Sequence, residues 1–290
     1  MAPAGNTNGK LFPRPANLAP GSRRGAASSN FPRTVTMPNT PRPPVGPATG
    51  WTISGHSATA TAAKLDLHQP GHGLTTSRGE RLLGLDLTCR GAADKTLLGP
   101  SEYWARGSDL TAIYEPADWR HLRTTAMWRE MKPHGADSAW ELIASAQTSL
   151  LHSDPQLTVN SDIAGDEILC GGWPASPALP GIIFTPGTGG ECRALLVRSA
   201  CAPTVLVVVH PREQRQQPPP IGKTASQPVL TAARHGGRIS ISCELFPCGV
   251  EKGVLLRARV LAAVGPFQGD IEWATRLAEV FAASPPELAT

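Results

Sequence analysis

The residues best suited to chemistry lie close together in residues 101–131. This segment holds three of the seven tryptophans and both tyrosines of the 290-residue chain, interleaved with five acidic residues and four arginines. Tryptophan rings offer flat apolar surfaces for stacking, and guanidinium groups bind carboxylates and hydroxyls. The segment therefore predicts a sugar- or anion-binding face made by five residues: Trp104, Arg106, Asp109, Trp119 and Arg129.

The same segment also fits a β-hairpin whose polar face is merely solvated. Residues 109–115 and 122–130 each alternate in polarity, and pairing them would set two carboxylates opposite two guanidiniums. Such cross-strand pairs contribute about 0.2–1 kcal/mol each. Because nearby arginines keep a carboxylate ionised, the pairs suit a salt bridge better than a general acid. We expect a structural role for this hairpin. For the protein we expect a non-enzymatic β-sandwich that binds a ligand or a partner, with a carbohydrate-active enzyme that uses the hairpin around residues 104–130 as the alternative.

Three other motifs resemble parts of known sites but are incomplete. Residues 222–224 read Gly-Lys-Thr, yet Gln217 stands where a phosphate-binding loop needs glycine. Residues 185–190 are glycine-rich, but no helix pattern follows them. His68 and His72, with His56 nearby, are the best metal candidates, although no acidic residue or cysteine accompanies them at ligand spacing. We therefore expect no cofactor and no metal site.

The first fifty residues differ in composition from the rest of the chain. They contain ten prolines, six glycines, six Lys or Arg and no acidic residue. Such a segment buries too little apolar surface to offset its ordering entropy, which predicts a disordered basic tail over residues 1–50. The chain as a whole carries +4 and the tail +6, so residues 51–290 are slightly acidic. We expect a carbohydrate or protein partner rather than a nucleic acid.

Features of targeting and redox chemistry favour a cytoplasmic protein. The first thirty residues lack the apolar run of a secretory signal, and no stretch approaches the roughly eighteen apolar residues of a membrane span. The six cysteines form no C-x-x-C pair. In a chain with no signal peptide, free thiols are expected rather than disulfides.

Alternating polarity predicts about ten short strands. Residues 238–246 alternate cleanly and residues 254–264 begin with alternation, and together they predict a hairpin. Residues 195–199 and 204–210 predict another pair. Residues 205–209 are apolar throughout, which is typical of a strand buried on both faces. Residues 140–150 fit a helix by composition but also alternate, and we favour a strand.

One helix is predicted at the carboxyl end. Asp270 is a suitable N-cap, and prolines after Ser284 stop the helix. One apolar stripe has helical spacing: Ile271, Ala274, Leu277, Ala278 and Phe281. These patterns together predict an all-β or β-rich α+β fold, an antiparallel β-sandwich over residues 51–290 whose helix covers an edge or an end.

Several segments resemble an uncharacterised family of bacterial proteins. The resemblance rests on residues 104–116, 141–151 and 251–260 and on the helix that ends in Pro285-Pro286. It covers most of residues 80–290. It implies a bacterial, cytoplasmic protein and assigns no residue to a chemistry.

Overall fold

The computed structural model describes residues 50–89, 99–115, 122–153, 155–173, 182–187, 192–200, 202–211, 228–246 and 250–285. These residues form two antiparallel β-sheets that share one hydrophobic core, with one α-helix on the far side of the second sheet. The predicted β-rich sandwich with a C-terminal helix is therefore confirmed. Residues 1–49 of the predicted tail over residues 1–50 lie outside the described residues, as do Trp119 and residues 222–224.

The first sheet has eight strands, which we number along the chain. In order across the sheet they are β1 (Thr52–Ser54), β2 (Ser57–Thr59), β3 (Ala63–Asp66), β4 (Leu74–Thr76), β5 (Arg81–Cys89), β11 (Pro155–Ala164), β17 (Arg238–Glu244) and β16 (Leu230–His235). A short 3-10 helix, η1 (Pro70–His72), lies between β3 and β4 in the chain.

The second sheet has nine strands. In order they are β13 (Ile183–Pro186), β12 (Glu167–Gly172), β14 (Ala194–Arg198), β15 (Thr204–Val209), β19 (Leu255–Gly265), β9 (Ser138–Gln147), β8 (Arg123–Met131), β7 (Asp109–Tyr114) and β6 (Glu102–Arg106). Two short strands pair separately, β10 (His152–Ser153) with β18 (Val250–Glu251).

Several predicted elements are confirmed. Strands β7 and β8 pair, as do β14 and β15. Every residue of β15 is buried, and residues 138–147 form a strand rather than a helix. The described residues contain nineteen strands rather than about ten, because strands of two to five residues are too short to show alternation. Strand β13 lies at the edge of the second sheet, where its closing Pro186 is tolerated.

The predicted hairpin between residues 238–246 and 254–264 is wrong. Strand β17 lies in the first sheet between β11 and β16, whereas β19 lies in the second sheet between β15 and β9. Strand β17 and the first half of β19 both alternate in polarity, and this pattern does not specify a partner. The hairpin partner of β17 is β16, joined through Gly236 and Gly237 at φ 56° and 79°. Two residues with positive φ give the tight turn that matches the twist of paired strands.

The helix, α1 (Asp270–Ala283), covers a sheet face rather than an edge or an end. The central strands of the second sheet alternate between two cores: Val205 and Val207 face the first sheet, whereas Leu206 and Val208 face the helix. The buried residues of α1 are Asp270, Trp273, Ala274, Leu277, Ala278 and Phe281. The predicted stripe is wrong at Ile271, which is 46% exposed.

Both ends of α1 are held by arginines of the second sheet. At the first end, Arg198 Nε and Nη2 donate to Asp270 Oδ2 and Oδ1 at 2.6 and 2.8 Å. Asp270 is thus a buried acceptor, and the N-cap is Gly269 at φ 70° rather than the predicted Asp270. Thr204 Oγ1 donates to the same carboxylate at 3.2 Å.

At the other end, Arg259 is almost fully buried and binds both a carboxylate and the helix terminus. Its Nε donates to Glu141 Oε1, which is equally buried. Its Nη2 donates to Ser284 Oγ at 2.8 Å and its Nη1 to the carbonyl of Pro285 at 3.1 Å. The guanidinium also lies 5.1 Å from the Phe281 ring centroid. These bonds satisfy carbonyl and hydroxyl groups at a helix end that lacks intrahelical partners.

Substituting Arg259 tests whether this buried ion pair anchors the helix. Arg259→Met removes the hydrogen-bonding partner of the buried Glu141, which then keeps only Arg129 Nη1 at 4.0 Å, and should lower the free energy of unfolding by about 3–5 kcal/mol. Urea denaturation followed by circular dichroism measures the loss. The control is Arg276→Met, which removes an exposed i,i+4 pair with Glu272 and should cost about 0.5 kcal/mol or less. Equal losses in the two variants would contradict the anchoring role.

Candidate functional site

The predicted hairpin face contains a tight ion pair. Arg129 Nε and Nη2 donate to Asp109 Oδ1 and Oδ2 at 2.7 and 2.9 Å, which is the two-pronged geometry of an arginine–carboxylate pair. The hydrogen bonds from Arg129 lower the pKa of Asp109 below its ordinary value. Arg123 and Glu115 form the second predicted pair, with Nε and Oε1 3.1 Å apart. Both carboxylates are therefore ion-paired.

The remaining hairpin residues are exposed on an edge strand. Cross-strand register places Arg106, Asp109 and Arg129 in one row over β6, β7 and β8. Trp104, two residues before Arg106 and on the same face, is 45% exposed. The structure thus brings four of the five predicted residues together, while Trp119 lies outside the described part of the chain.

A groove of about 450 Å³ lies on the opposite side of the sandwich, on the outer face of the first sheet. We call it the outer groove. Its floor consists of small and polar residues from adjacent strands, and η1 forms one wall. The lining residues are Gly71, His72, Arg81, Asn160, Ser161, Asp162, Thr231, Ala232, Ala233, Ser240, Ile241 and Ser242.

A β-bulge shapes the floor of the outer groove. The register of β11 on β5 shifts between Asn160 and Asp162, and Leu83 opposite adopts φ 53°. A left-handed conformation at a leucine costs about 1–2 kcal/mol. Its peptide is held on both sides, because Leu83 N donates to Ser161 Oγ at 3.2 Å and Trp128 Nε1 donates to Leu83 O at 3.1 Å. Bulges and strained backbone of this kind occur often beside functional sites.

Three glycines let η1 lie directly on β5. A Cβ at Gly84 would collide with the carbonyl oxygen of Gly71, and a Cβ at Gly73, which has φ 68°, would collide with that of Leu82. A Cβ at Gly71 would meet the Asp86 carboxylate. The wall of the groove therefore requires close backbone contact that only glycine permits.

The histidines of residues 56–72 separate into two places. The His56 and His68 rings lie 3.6 Å apart between centroids, whereas His72 lines the outer groove. Within the described ranges, no group of three or more His, Cys, Asp or Glu side chains is placed to hold a metal ion.

Charges around the outer groove are mostly paired internally. Arg238 donates from Nε to Asp162 Oδ1 at 2.9 Å and from Nη2 to the carbonyl of Asp162 at 3.0 Å. The amide of Asn160 donates to Asp86. Burial raises the pKa of Asp86, and the Asn160 hydrogen bond and the charge of His72 oppose that effect.

Hydroxyl groups complete the floor. The Thr231 and Ser242 hydroxyls are 2.8 Å apart and hydrogen-bonded, while Ser240 is exposed between Asp162 and Ala233 in the register. These groove residues lie far apart in the sequence and form no motif, so no sequence signal identified the groove.

Comparisons with known proteins leave the function open. No family model matches the sequence, and no curated protein is significantly similar to it.

Among the described residues, no helix is long and apolar enough to cross a membrane.

The contact between η1 and β5 can be tested at Gly84. Gly84→Ala should displace η1, because the new methyl group collides with rigid backbone, and should lower the melting temperature by several degrees. Thermal unfolding followed by circular dichroism measures the shift. Gly172→Ala is the control, since a Cβ there meets nothing within 4 Å. A melting temperature for Gly84→Ala that equals the control would show that η1 does not rest on β5.

The pH dependence of Asp109→Asn tests the hairpin ion pair. Because the folded-state pKa of Asp109 is lowered, its stabilisation is present above the unfolded-state value of about 3.9 and is lost as the pH falls through the folded-state pKa. The variant should therefore be less stable than wild type at pH 7, by about 1 kcal/mol, and the difference should shrink below about pH 4.

Urea titrations at pH 7 and pH 3 measure this difference. The control is Glu115→Gln, which breaks the more exposed pair with Arg123 and should cost less at pH 7. A difference between wild type and Asp109→Asn that grows on acidification would refute the stabilising role of the pair.

Proposed function

We propose that this protein is a non-enzymatic binding β-sandwich that holds a small, hydroxyl-rich ligand in the outer groove. The observation that carries the proposal is a concave surface, lined by hydroxyl, amide and small side chains, that is built over a strained bulge. Its volume of about 450 Å³ falls within the range of small-molecule sites. A leucine at positive φ persists only where its surroundings fix it, as Trp128 and Ser161 do here.

The floor offers both donors and acceptors for hydroxyl groups. The Ser240 side chain is exposed and has no hydrogen bond to any described residue. Asn160 gives an N–H to Asp86, and its carbonyl oxygen remains an acceptor. The Thr231 and Ser242 hydroxyls bond to each other, and Thr231 Oγ1 also donates to the Ser242 carbonyl at 3.4 Å, so this pair offers lone pairs to a ligand. Such alternating groups match a polyol or a sugar.

The same residues argue against catalysis in the outer groove. Asp162 is the one carboxylate among its lining residues, and Arg238 binds it through both its side chain and its main chain. These contacts give Asp162 a structural partner and do not leave it free to exchange a proton with a ligand. Binding without turnover is therefore the function that the lining supports best.

The alternative is a carbohydrate-active enzyme that uses the hairpin face. Its candidate carboxylates, Asp109 and Glu115, are both ion-paired, which suits neither a general acid nor a free nucleophile. One observation still favours a saccharide there: Trp104 is 45% exposed beside Arg106 and could stack on a sugar ring. The hairpin face is therefore retained as a second binding surface.

We also propose that the protein works in the bacterial cytoplasm. Three described cysteines, Cys170, Cys192 and Cys243, form no disulfide. Burial raises the pKa values of Cys192 and Cys243 to about 12, so both stay protonated and unreactive at neutral pH. Reduced thiols suit the cytoplasm, and the resemblance to bacterial sequences supports a bacterial source.

Filling the outer groove tests the proposed function. Isothermal titration of the full chain with a panel of neutral and acidic monosaccharides and inositol should give binding in the millimolar range or tighter. Ser240→Leu puts a large apolar group on the floor and should weaken that binding at least tenfold. Thr59→Leu, at an exposed strand position outside the groove, should bind as wild type does.

Two results would contradict the proposal. One is the absence of heat with every compound of the panel at millimolar concentration. The other is binding that survives in Ser240→Leu but disappears in Trp104→Ala, which would move the site to the hairpin face.

A further inference from the structure

One cationic side chain of the outer groove has no partner. Arg81, the first residue of β5, is exposed and lines the groove. Its guanidinium makes no hydrogen bond or ion pair with any residue in the described ranges. An arginine presents five donors in a planar fork, and here all of them are available to a ligand.

The carboxylates around Arg81 are already occupied. Asp162 lies opposite Arg81 in the β5–β11 register, yet Arg238 binds it. Glu80, which precedes Arg81, is buried and accepts the hydroxyl of Thr76. Asp86 accepts the amide of Asn160. Arg81 therefore keeps its charge unneutralised by a direct contact.

The remaining lining residues differ in charge between η1 and the strands β16 and β17. His72 on η1 adds a second basic group at the wall. Strands β16 and β17 contribute only uncharged residues to the floor, among them Thr231, Ser240 and Ser242. The floor of the outer groove thus carries hydroxyl groups and the ion-paired Asp162, and its rim carries Arg81 and His72.

We infer that the ligand of the outer groove is a hydroxylated anion, such as a sugar acid or a sugar phosphate. Its carboxylate or phosphate pairs with Arg81, and its hydroxyl groups lie on the floor around Ser240. The guanidinium fork matches both anions in a two-pronged arrangement. This inference rests on the proposed function, because it requires a ligand in the outer groove.

A ring-matched pair of sugars tests the inference. Glucose and glucuronate differ by one carboxylate, so titration of the full chain with each isolates the contribution of the anion. Wild type should bind glucuronate about fivefold to tenfold more tightly than glucose at low salt, and the preference should shrink in 0.5 M NaCl. Glucose 6-phosphate should show a similar preference over glucose.

Arg81→Gln removes the proposed anchor and should abolish the preference while leaving glucose binding unchanged. Arg81→Lys keeps the charge without the fork and should retain part of it. The control is Arg78→Gln, an exposed arginine three residues away that does not line the groove and whose loss changes net charge equally. Melting temperatures of all three variants should match wild type, since both arginines are exposed.

The outcomes separate the two claims. Equal binding of glucose and glucuronate, with both lost in Ser240→Leu, would overturn the anion inference and leave the proposed function standing. Loss of the preference in Arg78→Gln as well would overturn it too, because the effect would then come from overall charge. Binding of neither sugar acid, sugar phosphate nor neutral sugar would overturn both.

Discussion

The fold depends on burial of the outer face of the second sheet. Strands β14, β15 and β19 carry apolar residues on both faces, so a sandwich alone would leave half of them in water. Helix α1 removes that exposure by packing on Leu206, Val208 and Leu261. Arg198 and Arg259 hold its two ends, and each arginine forms an ion pair with a carboxylate of the protein. The part of this face that α1 covers therefore serves the stability of the fold.

The first sheet has the opposite character, and that difference locates the outer groove. Its inner residues join the core shared by both sheets, whereas its outer face carries Ser, Thr, Asn and charged residues. The two faces are linked through the core, because Trp128 of the second sheet hydrogen-bonds the strained Leu83 peptide of the first. The shape of the groove thus depends on a side chain of the opposite sheet.

The sequence predicts the features that depend on residues close together in the chain. The apolar run of β15, the alternation of β9 and the position of α1 follow from period and composition. The ion pair between Asp109 and Arg129 follows from alternation on two neighbouring strands. Each of these features is specified within about thirty residues of chain.

The remaining features depend on contacts between distant segments. Strands β17 and β19 have similar patterns, and only the tertiary fold assigns them to different sheets. The outer groove combines residues near positions 72, 81, 160 and 240 that share no motif. The positive φ of Leu83 contradicts the preference of leucine, so no local signal reveals it. The exposure of Ile271 has the same cause, because an apolar stripe at helical spacing does not specify which of its residues contact the sheet.

The most direct test of the outer groove is to map where a hydroxylated anion binds. Backbone amide resonances of the isotope-labelled full chain would be followed by NMR during titration with glucuronate. The account predicts that the largest shifts fall on residues 71–72, 81, 160–162 and 240–242, with those of residues 104–106 and of α1 unchanged. Shifts concentrated on residues 104–106, or no shifts at millimolar glucuronate, would contradict it.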